Sequence, residues 1–191
     1  RSLERALQAA QLWRELAPGS SLAAQTLETL WLSTGRFGDA RPLIIQRLDR
    51  ARADGSIGEV YEQLQRNLMR GADRAAALAL LDDLAQADPQ VPQARLAVAN
   101  LAHAADQHDR AALEAGKALA LRPDDEGILV ATARFVQASS AGTAGAIRVL
   151  QAYLTRFPKA LEARFQYARL LASDGRTADA RIQAGQAGPG G

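Results

Sequence analysis

The 191-residue chain contains no cysteine and few aromatic residues, and its apolar runs are far shorter than the roughly 20 residues of a membrane helix. Disulfide bonds and thiolate-bound metals are therefore excluded, although this absence does not fix the compartment. The net charge is only +2, from 23 basic and 21 acidic residues. Nucleic-acid-binding proteins usually show a stronger basic excess or a basic block. The composition thus predicts no nucleic-acid partner and no membrane span in this chain.

Alanine is the commonest residue and occupies 42 positions. It is the best helix former, and its small side chain lets helices approach closely. No stretch alternates apolar and polar residues as a half-buried strand would. With 48% hydrophobic residues the chain can bury a core, so we expect an all-α fold.

Prolines mark an internal period. Pro89, Pro123 and Pro158 are 34 and 35 residues apart, and Pro18 lies two such periods before Pro89. The slot between Pro18 and Pro89 falls at an Asp-Gly pair, which can form the turn without proline. Such a period predicts a repeat architecture.

A second set of residues repeats with the same period. Residues 33–41 and 173–181 share Ser, Gly, Arg, Asp, Ala and Arg in the same order, four periods of 35 residues apart. Gly35 and Gly175 fall where the first helix of a hairpin must end in a left-handed turn. Asp73, Asp109 and Thr177 are candidate N-caps of second helices, and the serines after Pro18 offer a hydroxyl N-cap for the helix that begins near Leu22. Two independent patterns with one period indicate helical hairpins.

Each period is predicted to contain two antiparallel helices. The first helices are expected at about 21–34, 57–70, 92–105, 126–138 and 160–173, and the second helices at about 38–52, 73–87, 109–121, 143–156 and 177–184. A leading helix from Ser2 to Leu16 has the pattern of a second helix whose first half is absent, and its apolar residues need cover from the next hairpin. The predicted boundaries are a half repeat at 1–18, repeats at about 19–54, 55–89, 90–123, 124–158 and 159–184, and a mobile Gly-rich tail at 185–191.

These features resemble the tetratricopeptide repeat (TPR), whose units carry a small residue where the two helices cross, an Ala early in the second helix and a terminal Pro. The crossing residues here are Ala99, Ala133 and Ala168. The sequence departs from the family at Glu28 and Gln65, which occupy the same position in the first two repeats. The resemblance implies a right-handed superhelical solenoid of about five hairpins that binds proteins and is not an enzyme.

Three further segments resemble a proteobacterial group of TPR lipoproteins, one of which is the adaptor of a periplasmic carboxyl-terminal processing protease. They are Leu121 to Glu126, Phe157-Pro158, and Tyr167 to Leu171. This resemblance implies a bacterial protein in the periplasm, tethered to the outer membrane by a segment upstream of Arg1. A cytoplasmic location is the alternative. Because the chain begins without Met, we expect a processed product or a piece of a longer chain.

The first helices should line the concave face of a curved stack, because each hairpin buries its apolar face against its neighbours. The ninth residues of the repeats include three arginines and an asparagine, which suit a carboxylate-rich peptide because Arg grips carboxylates with two hydrogen bonds. The alternative is a solvated wall of ordinary polar residues. The predicted groove residues are Gln25, Thr29, Arg66, Arg70, Asn100, His103, Arg134, Gln137 and Arg169.

Catalytic and cofactor sites are not indicated. His103 and His108 are the only histidines, and metal sites favour three or four converging ligands. Asp82-Asp83 point different ways on a helix, and Asp124 to Glu126 suits a helix N-terminus. Trp13 and Trp31 are expected to pack between helices. No cofactor is predicted.

Three other functions remain open. An RNA-binding helical repeat would read one base per repeat, although the charge of +2 argues against it. The repeats could also recruit substrate for a catalytic domain elsewhere in a larger enzyme. Finally, exposed ends of the stack could pair two copies into a homodimer.

Overall fold

The computed structural model describes residues 2–186, which form helices and no strand. Two compact units divide the chain, unit 1 at Arg1–Ala105 and unit 2 at Asp106–Gly191. The all-α prediction is confirmed. Unit 1 contains α1 (Ser2–Leu16), α2 (Ser21–Ser33), α3 (Phe37–Asp54), α4 (Ile57–Leu68), α5 (Arg74–Ala85) and α6 (Pro92–Ala104), and unit 2 contains α7 (His108–Leu121), α8 (Glu126–Ala138), α9 (Gly142–Arg156), α10 (Leu161–Ser173) and α11 (Thr177–Gln186).

The helix ends lie within two residues of the predicted positions, the usual uncertainty at helix termini. One difference concerns the predicted tail, because α11 continues through Gly185 and Gln186. The reason is Arg164 on α10, whose guanidinium donates to the side-chain oxygens of Gln183 at 2.7 Å and Gln186 at 2.5 Å. Arg164 thereby holds the last turn of α11 against α10. Residues 187–191 of the predicted tail lie outside the described residues.

The turns confirm several local predictions. Gly35 and Gly175 have φ values of 72° and 80°, a left-handed conformation that costs a glycine nothing. Ser20 caps α2 by accepting a hydrogen bond from the Ala23 N–H, and Asp73 caps α5 in the same way. These side chains satisfy N–H groups that have no partner inside the helix.

The predicted caps at Asp109 and Thr177 are wrong, because both residues lie inside the first turn of their helices. Helix α7 begins one residue earlier, at His108, so Asp109 lies inside its first turn. Its carboxylate instead accepts a hydrogen bond from the Ser140 N–H at 2.7 Å, across the turn between α8 and α9. This bond lowers the pKa of Asp109. The side chain therefore ties α7 to the α8–α9 turn.

Two glycines of unit 2 should respond in opposite directions to the same substitution. We expect Gly175→Ala to destabilise unit 2 by about 1 kcal/mol, because alanine is strained in the left-handed region. Gly116→Ala should stabilise it by about 0.5–1 kcal/mol, because Gly116 lies inside α7 with open space around it. Denaturant unfolding of both variants measures the difference. Equal changes in the free energy of unfolding would contradict this assignment of backbone conformations.

A buried carboxylate organises the packing of unit 1. Asp88, just after α5, accepts two hydrogen bonds from Arg52 of α3, each 2.8 Å long, and a third from the Tyr61 hydroxyl of α4 at 2.6 Å. Tyr61 is fully buried, and its hydroxyl also lies 3.1 Å from the Leu84 carbonyl. Helices α3 and α4 and the turn after α5 thus converge on one charge.

Unit 2 has an apolar core between its hairpins. Leu129, Leu150 and Leu171 are fully or almost fully enclosed and come from α8, α9 and α10 in turn. Each buried leucine contributes about 1.5–3 kcal/mol relative to an exposed one. The Thr132 hydroxyl lies within the core, and it is satisfied by the Ala115 and Ile128 carbonyls. The predicted crossing residue Ala168 is buried on α10.

The leading helix α1 is only partly covered. Ala10 is buried and Leu7 half-buried, but Leu3, Leu12 and Trp13 remain exposed. The predicted packing of Trp13 between helices is therefore wrong, because no first helix in unit 1 lies over that side of α1. Trp31, in contrast, is half-buried, and the Arg36 guanidinium lies 5.9 Å from its ring centre.

Candidate functional site

Three of the predicted groove residues line one recess in unit 2. Arg134 and Gln137 come from α8 and Arg169 comes from α10, and together they border a space of about 150 Å³. Both helices are first helices of their hairpins, so their ninth residues, Arg134 and Arg169, lie side by side as the repeat predicts. The floor of the recess is apolar and includes Ala133, Leu150 and Leu170.

The two arginines of this recess point to solvent. Both side chains are exposed, and within residues 2–186 neither forms an ion pair with a carboxylate. The Arg169 Nε donates to the Gln166 side-chain oxygen at 3.0 Å, and the Arg134 guanidinium lies 4.9 Å from the Phe135 ring centre. These contacts hold the guanidinium groups in place and leave further N–H donors for a ligand, since each group carries five.

Sequence reasoning missed the other side chains of this surface. Val130 and Gln166 line the recess, and Phe165 lies one turn before Arg169 with 60% of its surface exposed. Val130 and Phe165 occupy the fifth position of their repeats, four residues before the two arginines. The repeat register could have identified them, because residues four apart share a helix face. We call Val130, Arg134, Gln137, Phe165 and Arg169 the unit 2 groove.

The predicted groove residues of unit 1 differ in exposure and in the contacts they make. Arg66 on α4 and Arg70 in the turn after it are exposed, whereas Thr29 and His103 are half-buried. Asn100 uses its amide group inside the unit, donating to the Leu96 carbonyl at 2.9 Å and to the Gln65 side chain at 3.3 Å. It can therefore offer a ligand only its carbonyl oxygen. Gln25 is exposed and borders a small recess between α2 and α3 that also contains Glu28.

Glu28 occupies the position at which the TPR family carries a small residue where the two helices cross. Here it forms a buried ion pair. Its carboxylate accepts a hydrogen bond of 2.5 Å from Arg47 of α3, and the Glu28 side chain is only 3% exposed. Arg47 also donates to the Gln63 side chain of α4 at 3.0 Å. Burial raises the pKa of Glu28, and the charge and hydrogen bond of Arg47 oppose this rise. The pair joins three helices and is part of the framework.

The described residues contain no group of three histidine or acidic side chains that could hold a metal ion. None of the helices in residues 2–186 combines the length and apolar character that crossing a membrane requires. Exposed guanidinium donors beside an apolar floor are the main chemical feature of the unit 2 groove.

Known structures with the same fold consist of helical repeats. One is MamA of Desulfovibrio magneticus RS-1, with 13% identity and a TM-score of 0.54 over 86% of this chain and 90% of MamA. Another contains the nearly identical TPR-like repeats of a protein described as a kinesin light chain of Podosopora anserina, with 16% identity and a TM-score of 0.57 over 86% and 92% of the two chains. Yeast Tom70 matches 95% of this chain with 38% of its own, at 14% identity and a TM-score of 0.56.

No protein-family model matches the sequence, and no curated protein matches it. The structural matches, together with the confirmed hairpins, define the fold as that of TPR-type helical hairpins.

Proposed function

We propose that the protein is a non-catalytic scaffold that binds a partner protein through an extended, carboxylate-rich segment in the unit 2 groove. The observation that carries this proposal is the pair Arg134 and Arg169, two exposed arginines beside one recess with no carboxylate partner among the described residues. Elsewhere Arg41, Arg47 and Arg52 are engaged with acidic side chains.

The groove favours a peptide with both charged and apolar side chains. Two guanidinium groups on adjacent first helices can each bind a carboxylate with paired hydrogen bonds. Val130 and Phe165 lie one turn away and offer apolar area to a neighbouring side chain of the same peptide. Gln137 adds an amide that can bond a peptide backbone group. An extended acidic segment interrupted by large apolar residues satisfies all of these groups together.

Charge reversal of the groove tests this proposal. The probe is a fluorescein-labelled hexaglutamate peptide with a free carboxyl terminus, and hexaglutamine is the neutral comparison. We expect Arg134→Glu/Arg169→Glu to weaken hexaglutamate binding at least about tenfold, because both carboxylate contacts become repulsive. Affinity should also fall as salt rises, because the contacts are exposed. Fluorescence anisotropy measures both effects.

The matched control is Arg148→Glu/Arg181→Glu, which changes the net charge by the same amount at exposed positions on α9 and α11. If both double variants bound hexaglutamate equally weakly, the effect would come from net charge alone, and this result would contradict a defined groove. Binding of single-stranded oligouridine that weakens with salt and is lost only in the groove variant would identify RNA, and not a peptide, as the ligand.

A further inference from the structure

The second helices α7 and α9 of unit 2 border a space of about 360 Å³. It is separate from the unit 2 groove, because none of the described residues lines both sites. Two half-buried apolar side chains and a tyrosine that is 7% exposed form most of its wall. We call this space the α7–α9 hollow, and its lining includes Gly116, Leu119, Ala120, Val149, Tyr153 and Arg156.

Small residues on α7 leave the hollow open. The repeat register aligns position 116 with positions 82 and 151, and position 120 with positions 86 and 155. Because Gly116 and Ala120 line the hollow, longer side chains at these positions would occupy part of it. The equivalent residues of the neighbouring repeats are all larger and polar, namely Asp82, Gln86, Gln151 and Thr155.

The backbone and packing of α7 do not require a glycine at position 116. Gly116 lies inside α7, where glycine costs about 0.5–1 kcal/mol relative to alanine. Its φ is not in the left-handed region, and an added Cβ would meet no atom within 4 Å outside the backbone of its own helix. Stability given up without a packing reason is a feature of functional sites.

The wall that α9 contributes is already fixed in place. The Tyr153 hydroxyl donates to the Asp124 carbonyl at 2.9 Å, and the Tyr153 ring centre lies 4.7 Å from that of Phe157. Both the ring and the hydroxyl of this side chain are therefore held. A ligand that binds against a preformed wall does not have to order it, and this lowers the entropic cost of binding.

Arg156 gives the hollow its charge. It is the last residue of α9, a helix without acidic residues, and of the described residues that line the hollow it alone is charged. Arg156 is exposed and forms no ion pair in the part of the chain that the structure describes. Its guanidinium lies 5.4 Å from the Phe157 ring centre and keeps its N–H donors for a ligand. The hollow therefore favours an anion.

The size of the hollow fits a small organic molecule. An apolar cavity of about 150 Å³ holds one benzene ring, so a space of about 360 Å³ accommodates an apolar body of roughly two fused rings. Pockets for such ligands begin at about 300 Å³ and combine apolar walls with a few orienting polar groups. On α9 the apolar surface ends beside the hollow, at the exposed polar residues Arg148, Gln151 and Thr155.

We propose that the α7–α9 hollow binds a small organic carboxylate whose apolar body has about the size of two fused rings. The carboxylate accepts hydrogen bonds from Arg156, since a guanidinium can hold it with two N–H groups. The apolar body packs against Leu119, Val149 and Tyr153. This site is independent of the partner segment proposed for the unit 2 groove.

A matched pair of ligands tests the role of the charge. The probe is naphthaleneacetate, and naphthaleneacetamide has nearly the same shape without the charge. Isothermal titration calorimetry on the intact chain should show saturable binding of the acetate and at least about tenfold weaker binding of the amide. Arg156→Gln should weaken acetate binding about tenfold and change amide binding less than about twofold. Arg148→Gln is the control, because Arg148 is an exposed arginine of α9 outside the hollow.

Filling the hollow tests its location. Gly116→Leu should weaken binding of both probes at least about tenfold, whereas Ala144→Leu, at an exposed position of α9 outside the hollow, should leave both affinities unchanged. Circular dichroism should show the same helix content in both leucine variants. Hexaglutamate binding should be unchanged in Gly116→Leu, so this proposal and the one for the unit 2 groove can fail separately.

Three results would overturn the proposal. The first is no saturable binding of naphthaleneacetate up to about 10 mM, and the second is equal weakening by Arg156→Gln and Arg148→Gln. The third is acetate binding that Gly116→Leu retains and Arg134→Glu/Arg169→Glu loses, which would place the ligand in the unit 2 groove. Sedimentation equilibrium showing a dimer that Gly116→Leu dissociates would assign the hollow to a second copy and also overturn it.

Discussion

Glu28→Ala is expected to destabilise unit 1 by about 3–5 kcal/mol, the usual cost of removing one partner of a buried ion pair. The substitution would restore the small residue that the family carries at this position, so sequence comparison alone predicts a harmless change. The structure predicts the opposite, because Arg47 is only 13% exposed and would lose its carboxylate. Arginine cannot give up its charge in a protein, so the unpaired guanidinium would have to be resolvated.

Removing both charges should recover most of the stability that Glu28→Ala loses. We expect Glu28→Ala/Arg47→Met to unfold within about 1 kcal/mol of the wild type, since well-packed apolar residues often replace buried ion pairs at little cost. Chemical denaturation at neutral pH measures the single and double variants. Glu62→Ala, at an exposed position of α4, is the control for loss of a glutamate and should change the free energy of unfolding by less than about 0.5 kcal/mol. A double variant as unstable as Glu28→Ala would show that the carboxylate contributes packing and not charge compensation.

Local sequence patterns predicted the parts of the fold that depend on neighbouring residues. Gly35 and Gly175 adopt the left-handed turn, and Ser20 and Asp73 cap their helices, because each of these effects acts within about four residues. The hairpin register placed Arg134 beside Arg169 because both residues occupy the ninth position of their repeats. Equivalent positions of successive first helices face the same side of a stack.

Contacts between distant residues were not predictable in this way. Arg47 is 19 residues from Glu28 and Arg52 is 36 residues from Asp88, so neither pair lies within a single helix. The family pattern marked Glu28 as unusual, but it did not identify Arg47 as the partner of Glu28. Asp109 shows the same limitation, because a one-residue change in the start of α7 converts a helix cap into a contact with Ser140. The exposure of Trp13 depends on which helices pack beside α1, and the residue type alone does not reveal this.

Asp88→Asn should destabilise unit 1 by about 2–3 kcal/mol at neutral pH, the usual contribution of hydrogen bonds to a charged group. The amide keeps the shape of the side chain but removes the negative charge that accepts three hydrogen bonds from Arg52 and Tyr61. Asp49→Asn is the matched control, because Asp49 bonds the same arginine at 2.5 Å while 62% of its side chain is exposed. Exposed pairs contribute less than about 1 kcal/mol, so this variant should be nearly as stable as the wild type.

The pH dependence separates the charge of Asp88 from its shape. The hydrogen bonds from Arg52 lower the pKa of Asp88 below its ordinary value of 3.8, and burial opposes this effect only in part. A lowered pKa in the folded state means that the unfolded chain binds the proton more readily, so the stabilisation is complete above that ordinary value. This stabilisation is lost as pH falls through the folded-state pKa of Asp88. The difference in the free energy of unfolding between wild type and Asp88→Asn should therefore narrow below about pH 4. Unfolding free energies from urea titrations between about pH 7 and pH 3 measure this narrowing. A constant difference across that range would mean that Asp88 stabilises unit 1 through packing and neutral hydrogen bonds, and that its ion pair with Arg52 contributes nothing.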